Sequence, residues 1–253
     1  MATKEPSPLT GEIRFEEADF HALSERLAGD PEATPRRLVT RRKLLALGKR
    51  AVAELKADGY AFESRTSLHH PHAFNGNRVR RIWTYLTRPK AEKRSLKKVL
   101  GPDLGKDLDA AFRNAHLALA IEAEALEVSL RIHPDGWYDG QNLKNKVERT
   151  EMGFDAWRDE LNRLDGFFLR MDDWKGEWRC GELTRERLEE FLSYYTPGDH
   201  RLSVERRWPV PAAARDAALG EEVPGTLVGE LRRLGPLYRC TAWSPENDHL
   251  FSS

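Results

Sequence analysis

Between residues 117 and 132 the chain reads LALAIEAEALEVSLRI, and its second half alternates strictly: Leu126, Val128, Leu130 and Ile132 are apolar, while Glu127, Ser129 and Arg131 are polar. A period of two puts the first set on one face of a β-strand and the second on the other. Glu122 to Ala125 reverses the chain, so Leu117–Ile121 and Leu126–Ile132 are expected to pair as an antiparallel hairpin. A sheet with one dry face has to bury it, which requires a covering layer of helices or a second sheet. The rest of the sequence supplies helices.

Arg36 to Asp58 reads as a helix ending before Gly59. Stepping 100° per residue gathers Leu44, Leu45, Leu47, Ala51, Val52 and Leu55 on one half of its wheel and Arg42, Lys43, Lys49, Arg50 and Lys56 on the other. Phe62 to His69 and Val79 to Thr87 carry strand signals, with Asn75-Gly76 as a turn between them. Lys90 to Leu100 and Asp103 to Ala115 read as helices broken at Gly101-Pro102, and Asp139 as the cap of a helix running toward Arg149. Phe154 to Leu164 and the stretch after Thr184 read as further helices, and Leu227 to Leu234 as a short one. Phe167 to Met171, Glu177 to Cys180 and Arg201 to Arg207 read as short strands. Helices and antiparallel strands without a βαβ rhythm predict an α+β fold: a mixed, mainly antiparallel sheet packed by helices. The expected organisation is an acidic leader and linker over 1–35, one main domain over 36–243 and a tail over 244–253.

The order of a long helix, a strand ending in RTSLHH, the aromatic strand IWTYLTR, the hairpin HLALAIEAEALEVSLRIH and a late helix closing on LGPLYR resembles the YktB-like bacterial proteins of unknown function, over residues 60 to 239. The resemblance implies an α+β domain and no known activity, and it carries no functional residue over. The segment Lys90 to Ala111 and the basic helix before it depart from that pattern.

Composition constrains function through its distribution. Lys+Arg 41 and Asp+Glu 41 cancel, but residues 1–32 hold 3 basic and 8 acidic side chains, residues 33–107 hold 19 and 6, and residues 108–253 hold 19 and 27. A chain neutral in total is strongly basic in one third of its length. Two cysteines, Cys180 and Cys240, are too few for a disulfide framework, the first thirty residues interrupt with charge where a signal peptide needs an apolar run, and the longest clean apolar run is Leu117–Ile121. The expectation is a soluble cytoplasmic protein with no membrane partner and no cofactor.

Three functional classes follow. The first is an accessory protein that binds nucleic acid or another polyanion through residues 36–98, with Arg42, Lys49, Arg50, Lys56, Arg80, Arg81, Lys93, Arg94 and Lys97 as contacts and Trp83 and Tyr85 as stacking groups. The second is an enzyme acting on a phosphorylated or anionic small molecule. If the strand after Phe62 and the strand after Ala125 share a sheet, Arg65 and His69 of one and Glu127, Arg131 and His133 of the other share a polar face and could converge on a phosphate or carboxylate; the alternative is a solvated face laced with ion pairs. A metal-assisted hydrolase built on Glu122, Glu124, Glu127 and Lys144 belongs to the same class. The third is a protein-interaction subunit whose basic and acidic segments pair with each other or with a partner.

Two smaller features carry weaker signals. His70 and His72 flank Pro71 but lack a third ligand at a metal spacing, so no metal site is expected. The loop Asp135 to Asn142 offers Trp137 and Tyr138 either for stacking or as core anchors, with Asn142 and Lys144 as polar groups. No phosphate-binding glycine loop, nucleophile elbow or dinucleotide fingerprint is present.

Overall fold

The hairpin forms as the alternation requires: β3 (His116–Glu122) and β4 (Ala125–Ile132) pair antiparallel with Leu119 opposite Val128. In the computed structural model, which describes residues 13–68, 76, 78–172, 174, 176, 178–210 and 220–251, this hairpin is the centre of a seven-stranded sheet. β1 (Glu63–Ser67) and β2 (Arg81–Thr87) extend it on one side; β7 (Leu202–Pro209), β5 (Phe168–Met171) and β6 (Trp178–Arg179) extend it on the other. The order is β1-β2-β3-β4-β7-β5-β6 and every pairing is antiparallel. No helix among the described residues is long and apolar enough to cross a membrane.

The dry face carries Ile82, Leu86, Leu117, Leu119, Ile121, Leu126, Val128, Leu130 and Val204, all buried in one core. Helix α2 (Thr34–Ala57) covers it with Leu44, Leu47, Ala51 and Leu55, the face its periodicity marks as apolar. Gly48 lets α2 come down onto β2: a Cβ there would lie 2.6 Å from Thr84 Oγ1, a hydroxyl already bonded to Thr66 Oγ1 and to the Arg65 carbonyl. Later helices complete the layer: α4 (Trp137–Arg149), α5 (Glu151–Asn162), α6 (Arg185–Tyr194), α7 (Val223–Arg233) and α8 (Gly235–Thr241). Thr184 caps α6 and Thr150 caps α5, each hydroxyl accepting a backbone N–H of the first turn.

Five expectations need correction. Residues 13–35 are not a linker before the domain: Phe15, Phe20 and Leu23 lie in the main core, and α1 (Glu17–His21) delivers Asp19 to α2. Buried Asp19 accepts from Thr40 Oγ1 at 2.7 Å and Lys43 Nζ at 2.7 Å, so Lys43 points inward rather than along the basic ridge. Residues 244–251 are likewise packed and are not a free tail, with Leu250 buried and the His249 N–H donating to Asn142 Oδ1. Helix α3 (Lys90–Leu104) runs through Gly101 by a kink at positive φ and stops, and Asp103 to Ala115 is not a second helix. Turns and a short 3-10 helix at Ala111–Arg113 follow instead, with Asp107 at a positive φ that no α-helix contains.

Asp139 is not a cap. It stands in the first turn of α4, which begins at Trp137, and turns its carboxylate inward. That carboxylate takes the Arg88 guanidinium and the backbone N–H groups of Ala115 (2.6 Å) and Trp243 (2.8 Å), and Arg88 donates on to the Trp243 carbonyl at 3.2 Å. Both ionic side chains are fully buried. Around them α3, α4 and the C-terminal segment form a second small core from Leu96, Leu100, Leu108, Tyr138, Trp243 and Leu250.

Removing one partner of a buried pair leaves an uncompensated charge, so Arg88→Met and Asp139→Asn should each cost about 3–5 kcal/mol by urea denaturation. Arg88→Met combined with Asp139→Leu should cost less than the sum of the two single changes.

Candidate functional site

Opposite the dry face, the antiparallel register lays out a grid. Reading from β1 toward β5, one row is Ser67, Trp83, Ala120, Glu127 and Arg207; the next is Arg65, Tyr85, Ala118, Ser129, Glu205 and Phe168; the next is Glu63, Thr87, His116, Arg131, Ser203 and Arg170. Small side chains in the middle, with Ala118 and Ala120 on β3, leave room for the arginines to fold inward over them. The face is therefore buried as well as charged: Trp83, Ala118, Ala120, Glu127 and Ser129 are all enclosed.

Trp83 and Glu127 organise the enclosure. The Arg81 guanidinium lies 3.6 Å from the indole centroid and that of Arg131 5.2 Å away, so two cations share one ring. The same two guanidiniums reach Glu127, at 2.6 Å from Arg81 and 2.7 Å from Arg131. Arg207 adds a third contact to Glu127 at 3.3 Å and binds Glu122 at 2.6 Å, while Glu205 takes Arg131 and Arg170 at 2.9 and 3.2 Å. Burial alone would raise the Glu127 pKa, but Arg131 and Arg81 outweigh it and hold the carboxyl well below the usual carboxylate range. Burial lowers the Arg81 pKa; on Arg131 the same desolvation is overcome by Glu127 and Glu205, and its pKa rises.

The network answers the anion-site expectation. Arg65 and Arg131 share a face, but β2 and β3 stand between their strands, so they are separated by three strand spacings, or about 14 Å. They do not converge. Arg65 is half-exposed and lies 4.0 Å from Asp109, whereas Arg131 is committed to Glu127 and Glu205. His133 lies just past the end of β4, where its Nδ1 accepts the Asp135 N–H at 3.1 Å. His69, His70 and His72 lie outside the described residues. With each guanidinium already on a carboxylate, this face is an internal ion-pair lattice, and Glu127 is too firmly ionised to serve as a general acid. The hydrolase cluster dissolves for the same reason: Glu122 and Glu127 hold arginines, and Lys144 donates to the Tyr195 carbonyl at 3.0 Å. Among the described residues no group of three His, Cys, Asp or Glu side chains could hold a metal ion.

The basic segment divides in two. Arg81 and Lys93 are buried and paired, Lys93 with Glu63 and Asp109, and so cannot meet a polyanion. Arg80 is on Glu25 and Arg50 is on Glu54. Arg42, Lys49, Lys56, Arg94 and Lys97 are exposed and have no carboxylate within 4.0 Å among the described residues. The later arginines differ: every described arginine between 151 and 233 has a carboxylate within that distance.

A feature that sequence reasoning missed is a cleft of about 730 Å³ where the loop before β1 meets α3, α4, α5 and α8. Tyr60, Phe62, Tyr238 and Trp243 line it together with Glu92, Lys146, Glu160, Arg239, Cys240 and Glu246. No motif marks it, because its walls come from five segments distant in sequence. In the loop that was weighed for stacking, Tyr138 and Asn142 are buried and Trp137 packs on the second core, which makes the loop structural. Both cysteines are free.

No protein-family profile matches the chain, and no curated protein matches it.

Two outcomes follow from a closed lattice. Arg131→Gln should destabilise the fold by about 1–3 kcal/mol, because it takes one guanidinium from Glu127 and one from Glu205 while Arg81, Arg207 and Arg170 remain, and half-exposed Arg65→Gln should change stability by less than about 1 kcal/mol in the same denaturant titration. Stability should also fall in two stages on acidification. Burial pushes His116 down to about 4 from 6.5, so the unfolded chain takes up a proton that the folded one refuses, and stability is lost between those values, by a limit of about 3 kcal/mol. Glu127, with its folded pKa depressed, contributes stability that is intact above 4.5 and is lost as pH drops below it. His116→Gln should flatten the first stage in a series of melts from pH 7 to pH 4 and leave the second.

Proposed function

We propose that this chain is a soluble cytoplasmic accessory protein that binds nucleic acid or a comparable polyanion through the exposed faces of α2 and α3. The observation that carries the reading is the stripe Arg42, Lys49 and Lys56. These cations recur every seven residues, lie on one side of α2 roughly 10 Å apart, and are exposed with no carboxylate partner among the described residues. Leaving them unpaired in a chain with as many acids as bases suits an external counter-charge.

Helix α3 repeats the pattern with Lys90, Arg94 and Lys97, all exposed. The two stripes start from one end of the sheet. α2 runs into β1, whose first residue Glu63 accepts the backbone N–H of Lys90, the first residue of α3, at 2.9 Å. Trp83 is enclosed under arginines and so has no place in this reading as a stacking group. Contact is to the phosphate backbone, and the expected binding is insensitive to base sequence.

Affinity for a duplex or single-stranded oligonucleotide should fall steeply with salt, and Arg42→Gln, Lys49→Gln and Lys56→Gln together should reduce the slope of log K against log salt by about two to three units. The triple variant should melt like the wild type, because solvated surface charges contribute little to folding. If wild-type protein shows no salt-dependent binding at low ionic strength, the stripe faces a protein partner instead and the chain is an interaction subunit.

A further inference from the structure

The cleft beside α8 differs from the sheet face in how its charges are left. Lys146 sits half-buried in it and donates to neutral acceptors only: the Cys240 carbonyl at 3.1 Å, Asn247 Oδ1 at 2.9 Å and Cys240 Sγ at 3.5 Å. Arg239, at the rim, donates to the Gly59 carbonyl at 3.1 Å and lies 4.1 Å from the Tyr60 ring centroid. Neither has a carboxylate within 4.0 Å among the described residues. The acids of the cleft do not fill the gap. Glu160 is bound by Arg163 and Glu246 takes the Ser244 hydroxyl at 3.0 Å. Burial raises the pKa of Glu92 against the pull of Arg88.

A volume of about 730 Å³ is in the range of small-molecule sites, and the rings of Tyr60, Phe62, Tyr238 and Trp243 give it apolar walls. We infer that this cleft binds a small organic anion, a carboxylate or phosphate monoester on a flat apolar body, with Lys146 and Arg239 supplying the counter-charge and the aromatic walls taking the body. The site is separate from the α2 and α3 stripes and does not depend on the polyanion reading.

Calorimetric titration of the full chain with phenyl phosphate, benzoate and uncharged benzyl alcohol tests it. At least one of the two anions should bind saturably at one site, the tighter one identifying the head group, and benzyl alcohol should not bind over the same range. Arg239→Gln, a change at an exposed position, should weaken the anion roughly tenfold without shifting the melting temperature. The bound anion should slow alkylation of Cys240 by iodoacetamide, while buried Cys180 stays inert with or without it. The Arg42, Lys49 and Lys56 triple variant should bind the anion as the wild type does, which separates this site from the polyanion surface. Absence of saturable binding by both anions, equal binding of benzyl alcohol, or unchanged affinity in Arg239→Gln would overturn the assignment.

Discussion

One buried ion pair holds together parts of the chain that share no strand or helix. Arg88 leaves the end of β2, and Asp139 sits in the first turn of α4; between them they engage the backbone before β3 and the backbone after α8. A buried pair draws its stability largely from the further hydrogen bonds its oxygens and N–H groups make. Here Asp139 takes the backbone N–H groups of Ala115 and Trp243 and Arg88 donates to the Trp243 carbonyl, so the pair ties charge compensation to the path of the chain. α3 and the C-terminal segment pack their small core around that junction. The Asp139 pull on Arg88 overcomes desolvation and raises the arginine pKa, which keeps the guanidinium charged.

The opposite face of the sheet applies the same principle over a wider area. A strand alternating Glu, Ser and Arg ordinarily turns those groups to water. Here alanines on β3 leave a floor low enough for arginines from β2 and β4 to lie over Trp83 and, with Arg207 of β7, to meet the carboxylates of the sheet. The result is a second interior, polar instead of apolar. Its energetic role is alignment: each glutamate is matched by guanidiniums from adjacent strands, so a slip in register would strand several charges at once.

Against that background of paired charge, the exposed cations of α2 and α3 and the two cations in the cleft stand out. Ion pairs absorb the described arginines between 151 and 233, and Asp19, Glu25 and Glu63 absorb part of the basic segment. Total charge conceals this division, since a neutral sum is equally compatible with complete and with partial internal pairing. Only the partial case leaves a surface able to attract phosphate or carboxylate from outside.

Local periodicity by itself determined the β3–β4 hairpin, the inward face of α2 and the α+β class, because spacings of two and of 3.6 are written in consecutive residues and hydrophobic burial enforces them. The exposed positions of Arg42, Lys49 and Lys56 follow from the same wheel that buries Leu44, Leu47 and Leu55. Strand order decided what periodicity could not. Arg65 and Arg131 lie on one face, as their alternation demands, but two strands separate them, and no property of either strand says which neighbours it will take. The inward turn of Lys43, Arg81 and Lys93 and the cleft around Lys146 depend on partners that arrive from elsewhere in the chain: Asp19, Glu127, Asp109 and the residues of α8. Whether a charged side chain is solvated, paired or left waiting for a ligand is a property of the assembled neighbourhood, because it depends on which opposite charge comes within a few ångströms once the sheet has closed.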